Sequence, residues 1–222
     1  MSKEITVREL ASKIDHTLLR PDALLSDIDK LCREAAIHQF ASVCVNPCHV
    51  PAARKILEGS GVEVCTVVGF PLGANPVEIK RKEALWCRER GASEIDMVMN
   101  IGWLKSHELL GVEEDIRAVV EASDEYKVKV ILECCYLTKE EIVKACRIVK
   151  AAGAHFVKTS TGFGPGGATL EDVKLMKETV PDLKVKAAGG IRDLRTVLAM
   201  LEAGADRIGA SASLKILEEL ES

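Results

Sequence analysis

Short runs of apolar and β-branched residues alternate along the whole chain with longer stretches in which apolar positions recur at helical spacing. That alternation predicts parallel strands joined by crossover helices. Strand character is found at Lys13 to Leu18, Ala41 to Asn46, Val62 to Gly69, Glu94 to Asn100, Lys127 to Glu133, His155 to Ser160, Leu183 to Ala188 and Arg207 to Ala210. Eight strands are the number that closes a barrel, so the predicted fold class is α/β, a (β/α)8 TIM barrel preceded by a short N-terminal helix. No linker or low-complexity run interrupts the pattern, and residues 1–222 are expected to form one domain.

Helix boundaries are well marked. Thr6-x-x-Glu9, Thr138-x-x-Glu141 and Thr169-x-x-Asp172 resemble capping boxes, and Asn75-Pro76 predicts an N-cap followed by proline at the first helical position. Glycine followed by alanine ends helices at Gly91-Ala92, Gly153-Ala154 and Gly204-Ala205, where glycine can take the left-handed C-terminal cap. The strands beginning Tyr126-Lys127-Val128-Lys129 and Leu183-Lys184-Val185-Lys186 start alike, a faint hint of repeated two-strand units.

Composition narrows the function classes. A net charge of -4, with basic and acidic residues interspersed, makes nucleic acid an unexpected partner. The charged start and the lack of a long uncharged apolar segment predict no membrane partner and a cytoplasmic location. Eight cysteines occur without any C-x-x-C; the nearest cluster, Cys44, Cys48 and His49, matches no usual zinc spacing, so no metal and no cofactor is expected and the thiols are read as small buried hydrophobes. A single glutamine and three asparagines hint at a warm source, against which the cysteines argue.

In a barrel, alternate strand residues face the packed interior and the helix ring. On the fourth strand Ile95, Met97 and Met99 suit the helices, which sends Asp96, Val98 and Asn100 inward; by the same parity Val157, Thr159, Val185 and Ala187 face the helices while Lys158 and Lys186 face the interior. Buried charges are costly unless they are partnered or titrate, so two inward lysines with an aspartate mark a site. A lysine must be neutral to attack a carbonyl, and a neighbouring cation with partial desolvation favours that form. Lys186 is the expected neighbour of Lys158. The same residues also fit a plain anion clamp, two lysines holding a phosphate with Asp96 as their ion-pair partner.

Phosphate has its own signal. Gly189-Gly190-Ile191-Arg192 follows the seventh strand and Gly209-Ala210-Ser211 ends the eighth before a short helix, the two loops on which barrels commonly bind phosphate through backbone N–H groups. Thr159 to Gly167 adds hydroxyls and a glycine-rich loop, including Gly162, directly after Lys158.

Six ordered segments give a stronger indication: Ile14 to Leu19, Val43 to Pro47, Gly69 to Gly73, Glu94 to Asn100, Lys158 to Phe163 and Val185 to Arg192. Over nearly its whole length the chain resembles the deoxyribose-phosphate aldolase family. The resemblance implies a class I aldolase reversibly cleaving 2-deoxy-D-ribose 5-phosphate to acetaldehyde and D-glyceraldehyde 3-phosphate, in the catabolism of deoxyribose phosphates. It implies Lys158 as the Schiff-base lysine, Lys186 as the lysine that tunes it and Asp96 as the acid/base group. It further places Asp15, Cys44, Thr159, Gly162, Gly189, Gly190, Arg192, Gly209 and Ser211 at the substrate, and implies a homodimer or homotetramer acting on a phosphorylated sugar and aldehydes without metal. Two departures stand out: Ala212 follows Ser211 where the family often has paired serines, and Cys134-Cys135 stands where threonine before cysteine is usual. A ketose-phosphate aldolase on the same fold and a phosphate-sugar binding protein are the rival functions.

Overall fold

In a computed structural model that describes residues 5–222, eight parallel strands close into a barrel in the order β1 to β8. They are β1 Ile14–Leu18, β2 Ser42–Val45, β3 Glu63–Val68, β4 Glu94–Val98, β5 Lys127–Ile131, β6 Phe156–Lys158, β7 Lys184–Ala188 and β8 Arg207–Ala210. Each predicted strand is present, mostly trimmed by a residue or two where the chain leaves the ladder. β1 closes on β8 with Asp15 opposite Gly209.

Ten helices are described: α1 Val7–Ala11, α2 Leu25–His38, α3 Val50–Ile56, α4 Val77–Glu89, α5 Ile101–Lys105, α6 Leu109–Ser123, α7 Lys139–Ala151, α8 Leu170–Thr179, α9 Leu194–Glu202 and α10 Ser213–Glu221. Thr6 and Thr138 form complete capping boxes, and Thr169 caps α8 by accepting from the Asp172 N–H. The Asn75-Pro76 expectation is corrected: Pro76 itself is the N-cap of α4, with extended ψ of 148°, and no side chain caps it. Gly91, Gly153 and Gly204 all have positive φ, and the alanine N–H after each bonds to the carbonyl five residues back. Each of the three helices therefore ends in a Schellman turn that feeds the next strand.

The parity expected from sequence is observed. Val43, Val64, Ile95, Met97, Val128, Val130, Val157, Val185 and Ile208 pack outward into the buried layer between sheet and helices. Cys44, Cys65, Val67 and Leu19 form a separate small apolar cluster with Phe70. Around Val98, Ile131 and Phe156 the interior also holds a network of buried charges. Among the described residues, no helix is long and apolar enough to cross a membrane.

Candidate active site

β4, β6 and β7 each contribute one inward charge near the middle of the barrel, because the register places Lys158 opposite Lys186 and Ile131 opposite Lys158 across adjacent strands. Asp96 Oδ2 accepts from Lys158 Nζ at 2.7 Å and from Lys186 Nζ at 2.7 Å. All three side chains are buried. One carboxylate oxygen thus joins the two lysines, so Lys158 has an anion as well as a cation beside it.

Beneath them the network continues. Lys186 also meets Asp15 Oδ2 at 2.5 Å, while Lys129 reaches Asp96 Oδ1 at 2.9 Å and Glu94 Oε2 at 2.6 Å. Arg207 bridges Asp15 Oδ1 at 2.5 Å and Glu94 Oε1 at 3.2 Å. Burial alone would push the Asp96 carboxyl up, but Lys129, Lys158 and Lys186 hold it well below the usual carboxylate range. Burial pushes Lys186 down, and the Asp15 and Asp96 carboxylates more than reverse this, leaving it raised. Asp96 is therefore a carboxylate and Lys186 an ammonium in the resting protein.

Above Lys158 opens a cavity of about 360 Å³, lined by Thr17, Leu19, Arg20 and Phe163 together with the loops after β6, β7 and β8. Lys158, Gly162, Gly189, Gly190, Arg192, Gly209 and Ser211 all lie on its wall. Gly189 and Gly190 have φ of 92° and 79°, and a Cβ at Gly190 would meet open space. The glycine-rich loop after β6 packs tightly on the loop after β7: a Cβ at Gly167 would lie 2.3 Å from the Gly189 carbonyl oxygen. At Gly209 a Cβ would come within 3.1 Å of Lys186 Cε, so the missing side chain is what lets Lys186 extend past β8.

Three of the residues expected at the substrate lie off the cavity wall, and Cys44 is a buried thiol. Thr159 faces away from the cavity: its hydroxyl donates to the Ala188 carbonyl at 3.0 Å and accepts the Ala188 N–H, pinning β6 to β7. That orientation follows from its parity on β6. Asp15 and Cys44 point inward but are fully buried below the cavity floor, Asp15 spent on Lys186, Arg207 and Ser42, Cys44 beside Cys65. Neither lines the cavity.

Sequence reasoning missed Lys129, Glu94 and Arg207, although parity carried the signal: Glu94 shares the face of Asp96, and Lys129 shares that of Ile131, which opposes Lys158. It also missed Thr17, Arg20, Thr161 and Phe163 in the cavity wall. Glu133, buried at the end of β5 with left-handed backbone, accepts the Thr161 N–H at 3.1 Å and its hydroxyl, anchoring the loop that carries Gly162. Cys135 lies under the same loop, where a Cβ on Gly166 would sit 2.8 Å from its own Cβ.

The Cys44–Cys48–His49 cluster does not assemble, since Cys44 is buried in the interior and Cys48 is exposed. Two other groups bring ligand atoms together, Cys44 with Cys65 and Asp96, and Asp15 with Cys65 and Glu94. In both, lysine ammoniums already occupy the carboxylates, so a metal ion would have to displace them.

Residues 10–219 match the model of the DeoC/LacD family aldolases. A deoxyribose-phosphate aldolase of Thermoanaerobacter sp. (strain X514) is 58% identical over 95% of this chain and 96% of its own. One from Clostridium perfringens (strain SM101 / Type A) is 57% identical over 95% of each chain. The tetrameric deoxyribose phosphate aldolase of Aeropyrum pernix superposes with a TM-score of 0.92 at 34% identity, covering 98% of this chain and 93% of that one.

Proposed function

The chain belongs to the DeoC/LacD family of aldolases, and from that membership together with the buried lysine pair we propose that it reversibly cleaves 2-deoxy-D-ribose 5-phosphate to D-glyceraldehyde 3-phosphate and acetaldehyde, with Lys158 as the Schiff-base lysine. The observation that carries the assignment of roles is the position of Lys158 Nζ: among the described residues it is the one amine that both lines the cavity and touches Asp96.

Lys158, as the free amine, attacks C1 of the open-chain sugar, and loss of water gives a protonated imine. That imine draws electrons from the C2–C3 bond as the C3 hydroxyl gives up its proton. The bond breaks, D-glyceraldehyde 3-phosphate leaves, and an enamine remains on Lys158. Protonation at C2 followed by hydrolysis releases acetaldehyde and regenerates the amine. Asp96, a carboxylate hydrogen-bonded to both lysines, is the proton acceptor, and Lys186, an ammonium, is the donor that completes each exchange.

The distal phosphate suits the opposite wall. Gly189, Gly190, Gly209 and Ser211 present backbone there, and Arg192 supplies a guanidinium. Ala212 is the N-cap of α10 without a side-chain hydrogen bond, so the phosphate relies on backbone N–H groups and Ser211 rather than on paired hydroxyls.

The proposal extends to a single catalytic domain over residues 1–222, a cytoplasmic location in keeping with eight free thiols, and a homodimer or homotetramer, which the tetrameric Aeropyrum pernix relative supports.

The test is to incubate the purified protein with 2-deoxy-D-ribose 5-phosphate and follow products by NMR. Both aldehydes should form, and Lys158→Ala should abolish them. A folded wild-type protein that binds the sugar phosphate without cleaving it would make both lysines a phosphate clamp and end the aldolase reading.

A further inference from the structure

The barrel interior holds an unequal set of charges. Asp15, Glu94 and Asp96 supply three carboxylates, and Lys129, Lys158, Lys186 and Arg207 supply four cations. With every group ionised, one positive charge is uncompensated in a space where an unpaired charge is expensive. Partners are unevenly shared. Lys186 and Arg207 each bridge two carboxylates, and Lys129 contacts all three. Among the described residues Lys158 has an ion pair with Asp96 alone.

Taking Lys158 as the Schiff-base lysine, we propose that Arg207 and Glu94 are positioning residues for the aldol reaction: together they set the interior charge that the Lys158 amine meets. Neither lines the substrate cavity. Arg207 sits at the start of β8 and Glu94 at the start of β4, at the end of the barrel opposite the substrate. Arg207 contributes a cation that does not titrate, and Glu94 shares its anion between Arg207 and Lys129.

The charged neighbours can be placed: Arg20 and Arg192, both exposed, share the cavity wall with Lys158. From β1 comes Asp15, from β4 Glu94 and Asp96, and from β5 Lys129 with the half-exposed Lys127, which reaches Glu94 at 3.1 Å. From β7 come Lys186 and the exposed Lys184, whose ammonium lies near the Phe156 ring that Arg207 and Lys129 also approach. β2 and β3 contribute the Cys44 and Cys65 thiols, of which the Cys65 hydrogen bond draws Cys44 down and burial pushes Cys65 up. Asp206, beside Arg207 in the chain, faces away and pairs with Lys177. Lys127 and Lys184 reach solvent, where their charges are screened. The four-to-three imbalance therefore belongs to the buried groups together with the largely buried Arg207.

The direction of each perturbation follows. Arg207→Met removes a cation, leaves the carboxylates in balance with a charged Lys158, and so keeps the nucleophile protonated to higher pH. Glu94→Gln removes an anion and does the reverse. A unit charge about 10 Å away through an effective dielectric of about 20 moves an ionisation by roughly one pH unit.

The experiment is the pH profile of kcat/KM for sugar-phosphate cleavage, which reports groups of the free enzyme, in wild type, Arg207→Met, Arg207→Lys and Glu94→Gln. The substrate phosphate titrates equally in all four, so differences report the protein. The acid limb should rise by about one pH unit in Arg207→Met, fall by a similar amount in Glu94→Gln, and stay near wild type in Arg207→Lys. Superimposed limbs, equal shifts in the two Arg207 variants, or shifts of one sign for both charge removals would overturn the proposal. So would thiolate absorbance that rises along the wild-type limb, because Cys44 would then carry the titration. If Arg207→Met does not fold, Glu94→Gln and Arg207→Lys still decide it. A wild-type protein that forms no imine at Lys158 would instead remove the reading on which the proposal rests.

Discussion

The ion pair between Lys80 on α4 and Asp115 on α6 gives the sharpest stability prediction. Lys80 Nζ donates to Asp115 Oδ2 at 2.6 Å and to the Val98 carbonyl at 2.9 Å, both side chains are fully buried, and Asp115 Oδ1 has no hydrogen-bond partner among the described residues. Lys80→Met keeps most of the volume and removes the cation. A buried carboxylate left without its partner costs about 3–5 kcal/mol. For a chain of this length that corresponds to a fall in Tm on the order of 10 °C. Lys80→Met/Asp115→Leu should recover most of the loss, because an apolar pair of similar size replaces a buried ion pair at little cost.

The pH dependence has a definite sign. Burial raises the Asp115 carboxyl above its ordinary 3.8, and Lys80 only partly opposes it. A carboxyl with a raised folded-state pKa gives stability that is full below 3.8 and lost as pH rises through the folded value. Without Lys80 the burial term is unopposed, so the deficit of Lys80→Met should shrink in acid and grow toward neutral pH. Urea unfolding followed by circular dichroism across pH reads both effects. Additive single-site costs, or a deficit that grows in acid, would refute the reasoning.

Three further outcomes are expected. Asp96→Asn keeps the shape of the proton acceptor and removes its charge, so kcat should fall about 10²–10⁴-fold in a folded protein; a kcat near wild type would show that Asp96 is only an ion-pair partner. Gly167→Ala pushes a methyl onto the Gly189 carbonyl and should raise KM for 2-deoxyribose 5-phosphate far more than for unphosphorylated 2-deoxyribose, which steady-state kinetics with both sugars would reveal. Thr138→Ala breaks the capping box of α7 and should cost about 1 kcal/mol of stability by thermal unfolding with kinetics unchanged.

Much of this architecture was legible because its rules are local. Strand alternation placed Asp96, Lys158 and Lys186 on the interior face, and Gly-Ala turns marked three helix ends that the backbone reproduces. The depth of the interior network was harder to see. Lys127-Val128-Lys129 alternates as plainly as the strand carrying Lys186, but its lysines look like the solvent-facing start of a strand until the register brings Lys129 beside Asp96. Lys80 belongs to a run of charged residues at the start of α4, where only packing against Asp115 makes it buried. Thr159 shows the converse: its parity already pointed away from the cavity, and the family resemblance drew it toward the substrate. The Asn75-Pro76 signal slipped by one residue because proline's extended ψ serves as well at the cap as inside the first turn.

Covalent chemistry at Lys158 is the central claim, and trapping tests it most directly. Wild-type protein and Lys158→Ala are treated with acetaldehyde and sodium borohydride, digested and mapped by mass spectrometry. A single ethyl group on Lys158, absent from the variant, is the predicted result. No adduct on folded wild-type protein, or an adduct on another lysine that survives in Lys158→Ala, would contradict it.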